Sequence, residues 1–169
     1  MGRLRLTLHL TRDQLHFSEV QLRAVRYLQH LRVWVDELRP NRMLAHTLSE
    51  LMASAAGVLT ELRSIMSMVR IPATLLLASS HLRKVECLLS TLRLGDGEKD
   101  MLLLSALPDS IQDLKVIGHT HHALSFLATR LAPTSCLVSL EVDRLTLHLA
   151  EAVAHLPNLQ KLRYRRAHV

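Results

Sequence analysis

With 169 residues the chain is long enough for one domain with a substantial core, but only 3% of it is aromatic while 49% is hydrophobic, so leucine has to fill the interior. A net charge of +6 from 21 Lys and Arg against 15 Asp and Glu favours acidic partners, protein or nucleic acid. Two cysteines, Cys87 and Cys136, exclude a disulfide framework and suit a reducing compartment, cytoplasmic or nuclear; no apolar run approaches the roughly 18 residues of a membrane-spanning helix.

In chain order, MGRLRLTLHL alternates apolar and polar residues, which predicts a strand over 3–8 rather than the apolar centre of a secretory signal. An acid-free, Arg-containing start also fits an organelle-targeting segment. A helix is expected near 18–27 and a strand over 30–35. Leu44, Leu48, Leu51, Ala55, Val58, Leu62, Ile65 and Val69 then recur at alternating steps of four and three. That stripe predicts an irregular long helix within 43–69, which Gly57 could divide, packed into the core or against a coiled-coil partner. ATLLLAS, apolar throughout, reads as a strand over 74–78 buried on both faces. Further strands are expected over 91–95, 113–117, 139–143 and 161–165, with helices near 100–106, 121–131 and 147–155.

Several of these strands share one frame, L-x-x-L-x-Φ, with Φ apolar. It occurs as Met1, Leu4, Leu6; Leu28, Leu31, Val33; Leu89, Leu92, Leu94; Ile111, Leu114, Val116; Leu137, Leu140, Val142; and Leu159, Leu162, Tyr164. The last four copies stand 22, 26 and 22 residues apart and the first two 27 apart. Between copies, Leu124, Leu127, Ala128 and Leu131 form one helix face, and Leu149, Val153 and Leu156 another. Pro108, Pro133 and Pro157 each stand just before a frame, where proline ends a helix and sets the chain extended. A strand–loop–helix unit cannot bury its leucines alone. Stacked neighbours can, which predicts a single α/β solenoid over 1–169 with a parallel sheet on one side and helices on the other.

On these frames the chain resembles the leucine-rich-repeat family, of the ribonuclease-inhibitor-like type with strands on the concave and helices on the convex face. The resemblance covers about 1–38 and 80–169, and the irregular spacing is most similar to the repeats of F-box-type substrate receptors. It implies a protein-interaction module whose partner is a ubiquitylation substrate. Where the family places Asn or Cys three residues after the frame, this chain has His9, Asp36, Gly97, His119, Leu145 and Ala167, so its repeats are degenerate.

The position between the last two anchors of each frame faces the concave side, giving a column of Arg5, Arg32, Arg93, Lys115, Glu141 and Arg163, five of them basic. The next column outward holds Trp34 and Arg165. Arg5, Arg32, Trp34, Arg93, Lys115, Arg163 and Arg165 are therefore the expected partner-binding residues, and an acidic protein or peptide is the expected partner. Nucleic-acid backbone binding is the weaker reading, because one Trp and two Tyr offer few stacking platforms and Glu141 interrupts the track. A structural segment of a larger assembly is the alternative of another class.

No catalytic, cofactor or metal site is expected: phosphate-cradling glycine loops, G-x-S-x-G, C-x-x-C and H-E-x-x-H are all absent. His119, His121 and His122 form the one cluster of ligand-type residues and lack a spaced fourth. Both cysteines are expected in the core. Because solenoid ends need polar caps and neither end reads as one, the chain is expected to be a fragment, to self-associate, or to have its ends covered by a partner.

Overall fold

Each strand carries apolar residues on one side, unbroken in the first two strands and interrupted in the later ones, and most of them are buried. The computed structural model describes residues 5–10, 17–28, 30–35, 42–66, 73–88, 104–118, 121–131 and 136–168. Seven strands form one sheet: β1 (Arg5–Leu10), β2 (His30–Val35), β3 (Leu59–Met66), β4 (Lys84–Leu88), β5 (Asp113–Ile117), β6 (Ser139–Thr146) and β7 (Lys161–His168). They lie in sequence order and every adjacent pair is parallel. Helices α1 (Glu19–Val25), α2 (Arg42–Ala55), α3 (Ala73–Ala78), α4 (His121–Leu131) and α5 (Leu147–Ala154) alternate with them. This is an α/β solenoid of leucine-rich-repeat-like architecture.

The core is a stack of matched aliphatic layers between sheet and helices. Val33, Leu62, Val85, Leu114 and Leu140 follow one another across five strands and are all buried. From the helical side, Leu48, Leu51 and Met52 of α2, Leu124, Leu127, Ala128 and Leu131 of α4, and Leu149 and Val153 of α5 close the other wall. A capping box at Ser18 starts α1, and the Thr146 hydroxyl accepts the Leu149 N–H at 3.2 Å to start α5. Gly118 leaves β5 at φ 106°, a conformation that favours glycine, and its N–H donates to Asp143 Oδ2 at 2.8 Å.

The C-terminal strands β5, β6 and β7 and their helices lie where periodicity placed them. The middle of the chain differs. The long helix expected within 43–69 ends at Ala55, and β3 begins at Leu59. The strand frame L-x-x-L has the same three-residue step as a helix face, so Leu62 continued the stripe in sequence while the backbone changed type. The strand expected over 74–78 is helix α3; its leucines and alanines are good helix formers, and a short apolar run carries no period that separates the two. The strand expected over 91–95, with Arg93, lies outside the described residues, as does most of the helix near 100–106. The place in the sheet between β3 and β5 belongs to β4, whose anchors Leu82, Val85 and Cys87 are buried. Cys136, expected in the core, is exposed.

Candidate interaction surface

The face of the sheet away from the helices is made by the alternate residues that the aliphatic layers leave over. Register sorts them into rows. One row runs Thr7, Arg32, Glu61, Lys84, Asp113, Ser139, Lys161. The next begins His9, Trp34, Arg63 and, beyond an irregularity in the pairing of β3 with β4, continues Glu86, Lys115, Glu141, Arg163.

The expected basic column is thus split. Arg5 stands opposite His30, Arg32 belongs to the first row, and Lys115 and Arg163 belong to the second together with Trp34. Lys115 and Arg163 are brought together around Glu141, as the frame implied. The misalignment has a physical cause. In β1 and β2 the aliphatic residues recur at every second position, so the frame fits equally well two residues earlier or later. A two-residue shift keeps every side chain on its own face, and only the hydrogen-bond register separates the choices. The pairing selects Leu31, Val33 and Val35 as the anchors of β2, with Leu6, Leu8 and Leu10 opposite them in β1.

Within the rows the signs of charge alternate from strand to strand. Arg32 Nε lies 3.2 Å from Glu61 Oε2, and Lys84 Nζ 2.9 Å from Asp113 Oδ2. In the second row Lys115 Nζ sits between Glu86 Oε1 at 3.6 Å and Glu141 Oε1 at 3.7 Å, with Arg163 Nη1 4.0 Å from Glu141 Oε2. One step further out Arg165 Nε is 3.4 Å from Asp143 Oδ1, the carboxylate that also holds Gly118. Glu61 additionally accepts from Arg63. Opposite charges placed directly across neighbouring strands stabilise the pairing of those strands.

At two of these pairs the carboxylate lies deep and the cation stands out, whereas Lys84 and Asp113, and Lys115 and Glu141, are about equally exposed. The side chain of Glu61 is 7% exposed against 51% for its partner Arg32, and that of Asp143 is 20% exposed against 73% for Arg165. Two shallow hollows open on this face. One is lined by Arg5, Arg32, Arg83 and Lys84 with His30, Thr60 and a single carboxylate, Glu61. The other lies over β3 to β7, where Lys84, Lys115, Lys161 and Arg163 alternate with Glu86, Asp113 and Glu141. Arg83 is anchored by Nη1, which donates to the Ser110 carbonyl at 3.0 Å.

Trp34, expected as an exposed anchor, is half-buried. The His9 ring meets it edge-on at 4.7 Å and the Arg63 guanidinium lies 4.6 Å from its ring centroid, so its faces serve the molecule's own packing. Sequence reasoning missed Glu61, Arg63, Lys84, Glu86, Asp113, Asp143 and Lys161. The signal for Lys84 and Glu86 was present in Leu82-x-x-Val85-x-Cys87, a frame with Val and Cys in place of Leu.

Among the described residues no group of three or more His, Cys, Asp or Glu could hold a metal ion, and no helix is long and apolar enough to cross a membrane. His119 lies outside the described residues. No protein-family model and no curated protein matches the chain.

Proposed function

We propose that this chain is a protein-interaction module of the leucine-rich-repeat type, which binds an acidic protein or peptide across the strand face. The observation that carries this reading is the cationic field over the strand face, where Arg32 and Arg165 stand exposed above the recessed Glu61 and Asp143. The hollow over β1 to β4, with four cations around one buried carboxylate, is the strongest part of that field. Alternating charge also argues for a protein rather than a nucleic acid. A phosphate backbone would meet Asp113 and Glu141 along the track, whereas a folded or extended protein can present bases to them. The F-box-type resemblance would make the partner a ubiquitylation substrate and this chain its receptor. No catalytic role is proposed for it.

The test uses labelled poly-glutamate and a duplex oligonucleotide as probes of the intact chain at low and physiological salt. Arg5→Glu combined with Arg32→Gln should weaken poly-glutamate binding about tenfold, the scale of one to two lost charge contacts. Arg5 has no carboxylate partner among the described residues, and Glu61 keeps Arg63 when Arg32 is neutralised. Binding of poly-glutamate unaffected by the double change would remove the strand face as the site. Tighter binding of the duplex than of poly-glutamate would replace the acidic-protein reading with the nucleic-acid one.

A further inference from the structure

We propose that the hollow over β1 to β4 is a phosphate site, which seats a phosphorylated serine or threonine of the acidic partner as a dianion. The proposal rests on the strand-face reading and names what that partner inserts. Different strands build the two sides and the floor. On one side stand Arg5 of β1 with His30 and Arg32 of β2; on the other stand Arg83, just before β4, and Lys84, its first residue. Between them β3 carries Thr60 as an extra residue in its pairing with β2, since Leu31 stands opposite Leu59 and Arg32 opposite Glu61. A bulge of this kind re-aims side chains and recurs beside binding sites. Here it is held from both sides. The Thr60 hydroxyl donates to the Leu31 carbonyl at 3.1 Å, and the Thr60 carbonyl accepts the Arg83 N–H at 3.0 Å.

The charge of the hollow fixes the class of ligand. Lys84 is answered by Asp113. Arg32 is answered by Glu61, which takes its Nε and leaves its terminal nitrogens without an acceptor among the described residues. Arg5 and Arg83 have no carboxylate partner among the described residues. Arg83 is instead held in place by carbonyls, its Nη1 lying 3.0 Å from that of Ser110 and 3.4 Å from that of Ser80. Arg5 stands directly opposite His30, so at this point of the sheet base meets base with no acid between.

Two cations are thus left over. One carboxylate would neutralise only one of them. A phosphate monoester carries about −1.5 to −2 near neutral pH and three acceptor oxygens, and so answers both. The paired donors of arginine suit those oxygens. A group seated over β3 is one strand spacing of about 4.8 Å from β2 and β4 and two from β1, within the reach of arginine side chains. The hollow over β3 to β7 is the contrast. Its cations are paired with Glu61, Glu86, Asp113 and Glu141 and leave Lys161 alone unanswered among the described residues, a charge that one carboxylate would match.

The experiment compares three labelled peptides on the intact chain by fluorescence anisotropy, Ala-Glu-Val-Xaa-Val-Glu-Ala with phosphoserine, glutamate or serine at the centre. The phosphoserine peptide should bind about tenfold more tightly than the glutamate peptide, the scale of one further charge-assisted contact. Its phosphorus resonance should complete the second ionisation at lower pH when bound than when free, because neighbouring cations favour the dianion. Arg5→Gln alone, at an exposed position, should lower the preference for phosphoserine about threefold. Arg5→Gln with Arg83→Gln should reduce it to about twofold or less, with an unchanged circular-dichroism spectrum. Equal affinity of the phosphoserine and glutamate peptides, an unshifted phosphorus titration, or a preference that survives the double change would each overturn the phosphate site and leave the strand-face reading standing. Binding of none of the three peptides would overturn both.

Discussion

The two faces of the seven-stranded sheet are drawn from the same strands in alternation, yet they do different work. The inward face repeats one chemistry: Val33, Leu62, Val85, Leu114 and Leu140 are interchangeable aliphatic layers. Such layers make neighbouring strands adhere, but they are indifferent to a shift of two residues, which puts one buried aliphatic where another stood. The outward face is not indifferent. Sliding β4 against β5 by two residues would set Lys84 opposite Lys115 in one direction and Glu86 opposite Asp113 in the other. Adhesion thus comes from the buried face, and the charged face adds the penalty that selects the register.

The largest effects should come from the buried face. Leu140→Ala, in the aliphatic stack and fully buried, should cost about 2–5 kcal/mol in urea unfolding. A loss below ~1 kcal/mol would mean that the layers collapse around the gap and are not close-packed. Next comes Glu61, the one buried carboxylate among the described residues. It holds Arg32 and Arg63, so Glu61→Gln should cost about 1–3 kcal/mol by the same measurement.

Smaller effects should come from the charge lattice itself. Lys84→Glu and Asp113→Lys should each destabilise by about 0.5–1 kcal/mol, and the double exchange should recover most of the loss, a double-mutant cycle that isolates the cross-strand term. Failure of the double variant to recover would show that the charges decorate a register set elsewhere. The smallest expected change is that of Arg5→Glu, exposed and without a carboxylate partner among the described residues: melting should stay within about 0.5 kcal/mol of the parent while poly-glutamate binding weakens.

Where the fold was legible, two independent periods agreed. Ile111, Leu114 and Val116 carried the strand frame, and Leu124, Leu127, Ala128 and Leu131 the helix face that follows; all seven are buried as expected. The middle of the chain was illegible for a matching reason. Leu59 and Leu62 satisfy the helix step and the strand frame at once, and Ala73 to Ala78 satisfies neither period. At the surface, Arg163 and Arg165 of β7 were identified while Lys161 and most of the answering carboxylates were not, because the column was read along one set of frames while those residues stand in rows defined by pairing.

What the sequence determined alone was the architecture: leucine without aromatics, recurring in one short frame, can be buried only by stacking like units, and that yields parallel strands in chain order. Which charges face one another was decided by the tertiary structure. A two-residue shift leaves the hydrophobic pattern of a strand unchanged, so nothing within a strand's own residues marks its register. Backbone hydrogen bonds to the next strand, together with the opposite charges they bring to within about 4 Å, make that choice.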